Sequence, residues 1–323
     1  MCTAITLKTG DHYFGRNLDY EHGFGEQIII TPRNFFFTFN NGQKLHSHYA
    51  IIGMGIEAEN YPLYFDATNE AGLSVAGLNF PENAHYTQPE SNERCISPYE
   101  FIPWLLSQCK TVQDCRQYCN SITLINKPFN EQYPLSPLHW IIADRNESIV
   151  IESVIDGLHI YDNPYGVLTN NPPFPYHLYN ISNYINVTAQ EPNNRFAPEE
   201  AIHAYSRGMG GIGLPGDNSS ASRFIRALFT KLNSKAHADE DSSIVQFFHI
   251  LNAVCQVNGC TAVGDKYEKT LYSSCCNTDK GIYYYTTYEN PQISAVYLHN
   301  CDLEESKLIK YEINRNLNII TSL

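Results

Sequence analysis

The sequence predicts a single α+β domain, and three observations predict it. β-type segments occupy both ends of the chain, helix-type segments lie between them, and no linker, repeat or low-complexity tract divides the 323 residues. Size alone allows one large domain or two smaller ones, so the missing linker decides for one. With 43% hydrophobic and 17% charged residues the chain has the composition of a folded globular protein. Tyr (23) and Phe (16) far outnumber Met (3) and Trp (2), an aromatic bias that favours strands and apolar ligand walls.

The elements follow in order. Cys2–Lys8 and residues 12–18 alternate apolar and polar around a Thr9-Gly10-Asp11 turn, which reads as a hairpin. With Gly10 and Asp11 as a two-residue loop, Cys2 faces Asp19; a slip of one residue places it opposite Leu18. In both registers residues 16–19 run beside Cys2. Further strands are expected at Gln27–Thr31, 50–54, 72–78, 139–142, 148–152, 158–161 and 166–169, several of them ending in Asn, Asp or Gly turns. Apolar residues at spacings of three and four predict helices at 98–107, 112–121, 197–205, 219–232 and 242–253, with Ser219 and Ser242 as caps. Strands return at 271–274, 282–288 and 293–298.

A formal charge of −13 repels phosphate backbones, so nucleic acid is not an expected partner. Apolar runs such as Ile149-Val150-Ile151 fall far short of the roughly 20 residues of a membrane span, and Met1-Cys2-Thr3-Ala4 leads into no signal peptide, so no membrane association and a cytoplasmic location are expected. In that compartment most of the ten cysteines read as buried small hydrophobes. The Asn-x-Ser/Thr matches at Asn146, Asn180, Asn186 and Asn218 would then have no glycan to accept. Gly208-Met-Gly-Gly-Ile-Gly213 fits a dinucleotide fingerprint, but Leu214-Pro215-Gly216 follows where a helix is needed. Cys109, Cys115, Cys119, Cys255, Cys260, Cys275, Cys276, His46 and His48 lack zinc-site spacing, so neither metal nor cofactor is expected.

The most specific signal is Cys2. A methionine before a small residue is normally trimmed, which leaves a thiol and a free α-amine on one residue. With reference pKa values of about 7.7 to 8.0 for the amine and about 8.5 for the thiol, the amine can accept the thiol proton near neutral pH without a histidine. This is the variant of nucleophilic catalysis in which an N-terminal residue supplies its own base. Arg16 and Asp19, alongside in the hairpin, would favour the thiolate and hold the amine respectively. An edge strand with an exposed Arg16–Asp19 pair is the alternative reading.

The sequence resembles the choloylglycine hydrolase family of N-terminal-nucleophile hydrolases. The resemblance rests on Met-Cys-Thr at 1–3, Phe-Gly-Arg-Asn-Leu-Asp at 14–19, Ala-Gly-Leu-Asn-Phe-Pro at 76–81, Gly-Val-Leu-Thr-Asn-Asn-Pro at 166–172, Gly-Leu-Pro-Gly-Asp at 213–217 and Ser-Arg-Phe at 222–224. It implies a four-layer αββα sandwich, two antiparallel sheets between helix layers, as one amidase domain over residues 2–323 with Met1 removed and a homotetrameric assembly. It further implies Cys2 as nucleophile flanked by Arg16 and Asp19, Asn79 and Asn170 at the reacting amide, and Arg223 completing the polar set. Neutral amide donors such as Asn79 and Asn170 can meet a tetrahedral oxyanion, a contribution of roughly 3 to 4 kcal/mol per well-placed donor. On the residues alone, Asn79 also reads as a strand-end cap, Asn170 as an Asx turn before Pro172, and Arg223 as a partner for Asp217. Asn79 resembles the bile-salt branch, so the resemblance implies glycine- and taurine-conjugated bile salts as substrates, with penicillin V or an N-acyl-homoserine lactone as the alternative. The aromatic runs at 20–24, 61–65 and 129–135 are candidate walls for a steroid.

Overall fold

In a computed structural model, which describes residues 1–89 and 94–321, two large antiparallel sheets lie face to face. The first has six strands in the order Val167–Leu168, Cys2–Lys8, His12–Tyr20, Lys269–Asn277, Ile282–Thr287 and Ser294–Tyr297. The second has eight, in the order Gly157–Asp162, Ser148–Val154, Leu138–Ala143, Ser74–Asn79, Tyr61–Asn69, Ile51–Ala58, Gln27–Thr31 and Ile309–Glu312. Successive side chains of a strand point to opposite faces, and both faces are covered here. Ile28, Ile30, Ala76, Leu78 and Ile141 enter the core shared with the first sheet. Their chain neighbours Ile29, Val75, Trp140 and Ile142 pack instead with Leu105, Leu106, Val112 and Cys115 from the helices Phe101–Gln108 and Val112–Cys119. On the far side, helices Ser220–Asn233 and Glu240–Asn252 pack on the strands Cys2–Lys8 and Lys269–Asn277. This is the expected αββα sandwich.

The hairpin takes the slipped register. Lys8 pairs with His12 and Cys2 with Leu18, so the loop has three residues, Thr9 to Asp11. Because one residue of slip exchanges the faces of a strand, this register puts Arg16, opposite Ala4, on the face of Cys2, and turns Asn17 and Asp19 to the helix layer. Gly15, just before Arg16, sits where the neighbouring strand comes close: a Cβ there would lie 1.9 Å from the Ser274 carbonyl oxygen. Backbone cannot yield cheaply, so Gly15→Ala should destabilise the protein by roughly 3 kcal/mol or more. A melting temperature within about 2 °C of the parent would contradict that packing.

Three expectations need correction. Residues 197–205 form turns and irregular chain instead of a helix. Ile202 and Tyr205 are exposed, so the segment has no apolar face to bury, and a short helix without tertiary packing is marginal. Ser242 is not a cap; Asp239 is, its side chain accepting from the Ser242 N–H (2.9 Å). Ser219 does hold the N-cap position, yet its hydroxyl donates to Ser222 Oγ (3.0 Å) and bonds no helical N–H. The strands Tyr61–Asn69 and Ile309–Glu312 and the helix Phe174–Asn180 add to the elements expected from the sequence.

Candidate active site

Cys2 opens the first strand beneath Met1, and its Sγ accepts a hydrogen bond from Arg16 Nη2 at 2.6 Å. Arg16 is fully buried between the sheets, its Nη1 donating to the carbonyls of Gly77 (2.5 Å) and Phe65 (3.1 Å) on the facing sheet. A buried cation needs compensation. Burial disfavours the charged guanidinium, but Cys2, Tyr272, Asp66 and Asp19 around it outweigh burial and raise its pKa. Asp66 is also fully buried and accepts from Tyr272 Oη (2.6 Å), Tyr283 Oη (2.6 Å) and Ser274 Oγ (3.1 Å). Burial nevertheless pushes its carboxyl above the usual range, against the opposing pull of Arg16.

The backbone of Cys2 is held from the other side. Its nitrogen donates to Asn170 Oδ1 at 2.8 Å, and its carbonyl accepts from Arg223 Nη1 at 2.5 Å. Asn170 reaches this place because the strand Val167–Leu168 pairs with the first strand, Leu168 opposite Ala4. The Asn170 amide also accepts from Arg223 Nη2 (2.7 Å) and donates from Nδ2 to the Asn79 carbonyl (2.7 Å). Arg223, in the first turn of the helix Ser220–Asn233, further holds Thr3 Oγ1 (2.7 Å) and the Asn218 carbonyl (3.0 Å). It makes no pair with Asp217, whose carboxylate accepts from the Ser219 N–H and the Ser222 hydroxyl instead. Burial lowers the Arg223 pKa, opposed by Asp19, Cys2 and Glu268.

Asp19 lies on the opposite face of its strand from Arg16. Its Oδ1 accepts from Thr270 Oγ1 (2.6 Å), and burial raises its pKa while Arg223 and the chain terminus oppose the rise. Its backbone pairs with Met1: Asp19 N–H donates to the Met1 carbonyl (2.9 Å), and the Met1 ammonium donates to the Asp19 carbonyl (2.7 Å) and to Glu268 Oε1 (2.7 Å).

The fold therefore gathers Arg16, Asn170 and Arg223 around Cys2, with Asn79 present through its carbonyl at the end of the strand Ser74–Asn79, while the Asp19 carboxylate turns to Thr270 on the other face of its strand. Sequence reasoning missed Asp66, Glu268, Tyr272 and Tyr283. A lone carboxylate inside the otherwise uncharged stretch Tyr64-Phe65-Asp66-Ala67-Thr68 was the available signal for the first. Among the described residues no group of His, Cys, Asp and Glu is placed to hold a metal ion, and no helix is long and apolar enough to cross a membrane.

Two antiparallel sheets between helix layers, with Cys2 on the N-terminal strand, make up the N-terminal-nucleophile hydrolase fold. The model of the linear amide C–N hydrolases, choloylglycine hydrolase family, matches residues 2–311, and the chain belongs to that family. It is 52% identical over 314 residues to a bile salt hydrolase/transferase of Lactiplantibacillus plantarum, covering 97% of each chain. A bile salt hydrolase/transferase of Clostridium perfringens is 38% identical over 326 residues, covering 99% of each. A solved conjugated bile acid hydrolase from Clostridium perfringens superposes with a TM-score of 0.92 at 37% identity over 99% of each chain. Penicillin V acylase from Agrobacterium tumefaciens shares the fold, with a TM-score of 0.76 at 18% identity over 97% of this chain and 91% of that one.

Proposed function

We propose that this protein hydrolyses the amide bond of glycine- and taurine-conjugated bile salts, with the thiol of Cys2 as nucleophile once Met1 is removed, as a single domain over residues 2–323 without a cofactor. The observation that carries the reading is the pair of contacts on Cys2, Sγ to Arg16 at 2.6 Å and N to Asn170 Oδ1 at 2.8 Å. After trimming, that nitrogen is an α-amine. One N–H points at Asn170 Oδ1, which leaves the lone pair to take the thiol proton, and Arg16 faces the charge left on sulfur. Attack on the scissile carbonyl makes a tetrahedral oxyanion, for which the second Nδ2 hydrogen of Asn170 and the side-chain amide of Asn79 are the donors. The α-ammonium returns its proton to the departing amine. Water, activated by the same amine, then clears the thioester. Asp19 and Arg223 act behind Cys2, Arg223 by holding its carbonyl.

The apolar body of the substrate has a surface at hand. Tyr20, Phe24 and Phe65 form an aromatic group with centroids 4.9 Å apart for Tyr20 and Phe24 and 5.5 Å apart for Phe24 and Phe65, and the Phe65 carbonyl touches Arg16. Tyr61 and Phe129 pack with Tyr99 in a separate group. The assembly proposed is a cytoplasmic homotetramer. Cys109, Cys115, Cys119, Cys275 and Cys276 are buried thiols outside any disulfide, which suits a reducing compartment, and Tyr179, Ile185, Phe196 and Tyr205 form an exposed apolar stretch that suits burial between subunits. The test is release of free glycine and taurine from glycocholate and taurocholate by purified protein whose mass shows Met1 removed. Release is the expected result; cleavage confined to penicillin V or an acyl-homoserine lactone would replace the substrate.

A further inference from the structure

Two histidines outside the chemistry above hold the segment that carries Asn170. His139, on the strand Leu138–Ala143, is fully buried, with Nδ1 3.0 Å from Glu152 Oε1 and Nε2 2.9 Å from the Thr169 carbonyl oxygen. His177, on the helix Phe174–Asn180, is equally buried, and its Nε2 lies 3.0 Å from the Asn170 carbonyl oxygen. Consecutive carbonyls are thus each tied to an imidazole. A carbonyl oxygen only accepts, so Nε2 carries the hydrogen in both rings.

Each ring is itself held in place. His139 stacks on Phe80 with centroids 4.3 Å apart and planes 4° from parallel, and His177 stacks on Phe224 at 4.8 Å and 20°. Phe80 follows Asn79, whose carbonyl accepts from the Asn170 amide. Phe224 follows Arg223, which donates to Asn170 Oδ1. The two imidazoles are also linked, because Glu152 Oε1 accepts from the backbone N–H of Phe174, the first residue of the helix bearing His177. Burial holds the His177 imidazole down at about 4, so it is a neutral donor at physiological pH.

We propose that His139 and His177 are positioning residues for the amidase reaction, fixing the Thr169 and Asn170 carbonyls so that Asn170 Oδ1 stays within hydrogen-bond reach of the Cys2 nitrogen. The proposal rests on the reading of Cys2 as nucleophile. It predicts an effect on the chemical step with little effect on substrate binding, because neither ring touches the aromatic group beside Arg16.

The test uses His177→Phe, which keeps a ring over Phe224 and loses the N–H, and His177→Gln, whose side-chain amide can still donate to the Asn170 carbonyl. Misplacement of a reacting group by about 1 Å costs on the order of 100-fold, so kcat of the Phe variant should fall by about that factor with KM within about threefold of the parent. His177→Gln should recover at least about tenfold of the loss. A Phe variant with kcat within about twofold of the parent, or a Gln variant no faster than the Phe variant, overturns the proposal. If the Phe variant does not fold, His177→Asn, whose shorter amide does not span to the carbonyl, takes its place, and equal rates for Asn and Gln overturn it. Rates are taken on whichever amide the parent cleaves fastest. A parent inert toward bile salts therefore overturns the substrate assignment alone, whereas turnover that survives Cys2→Ala removes the premise of this proposal.

Discussion

Cys2→Ala should lower amide cleavage by roughly 10⁴-fold or more while the protein stays folded. The size follows from the absence of another group to form the acyl intermediate: among the described residues, Arg16, Asn170 and Arg223 are the groups bonded to Cys2 by side-chain nitrogen or oxygen, and none is a nucleophile. The choice of alanine isolates the thiol. Alanine is small enough for Met1 still to be removed, so the α-amine and its bond to Asn170 remain while only sulfur is lost. Arg16 keeps its bonds to the Gly77 and Phe65 carbonyls, which limits the cost in stability. Free glycine or taurine is measured against time, with intact mass and thermal melting as controls. A folded, trimmed alanine variant that retains more than about 1% of parental turnover would refute the thiol mechanism.

Arg223→Met carries the second large effect, and it falls on stability as well as turnover. Three buried acceptors and one half-buried one each lose a donor at once: the Cys2 carbonyl, Thr3 Oγ1 and Asn170 Oδ1, which keeps only the Cys2 N–H, and the Asn218 carbonyl. Breaking a buried ionic network by removing one partner costs about 3 to 5 kcal/mol, which for a chain of this size is a fall in melting temperature on the order of 10 °C. The loss has a pH signature. Burial already raises the Asp19 carboxyl pKa and Arg223 is the largest opposing influence, so the variant's Asp19 sits higher still. A carboxyl whose folded pKa lies above its unfolded value costs stability when ionised, and that cost fades as pH falls through the folded pKa. The gap in melting temperature between variant and parent should therefore narrow on acidification from neutral pH. A gap that is constant or widens would mean that Arg223 holds the site by hydrogen bonding alone, without compensating Asp19.

Much of this arrangement is legible in the order of residues alone. The strands at 27–31, 139–142 and 148–152 announce themselves because each has apolar residues on both faces, one for each core, and 282–288 because its consecutive apolar residues all enter the first core. The same rule hides Tyr61–Asn69, where Pro62 and Asp66 interrupt an aromatic run and a register shift between Met54 and Gly55 disturbs the pairing with its neighbour. The polar residues Cys2, Arg16, Asp19, Asn170 and Arg223 stand out by motif, and side-chain hydrogen bonds link Cys2, Arg16, Asn170 and Arg223, with Asp19 on the other face of its strand. Asp66, Glu268, His139 and His177 do not, because a buried polar residue that bonds to distant backbone or hydroxyl groups leaves no local pattern.

Short-range chemistry suffices for the hairpin, for the glycine that lets two strands meet at residue 15, and for the proximity of residues 16–19 to Cys2. It does not choose between registers, since a loop of two or three residues satisfies the same Thr-Gly-Asp turn. That choice belongs to the assembled sheets. Only with Leu18 opposite Cys2 does Arg16 turn inward, where the Gly77 and Phe65 carbonyls of the facing sheet and the Asp66 carboxylate can repay the burial of its charge. The opposite register would bury Asp19 and Asn17 in that place and send the guanidinium toward the helices. Likewise Asn170 meets the Cys2 nitrogen through the pairing of Leu168 with Ala4 and the Arg223 bridge from a helix more than 200 residues along the chain. A motif can name such residues; only the close packing of two sheets and a helix layer brings their atoms within 3 Å of one another.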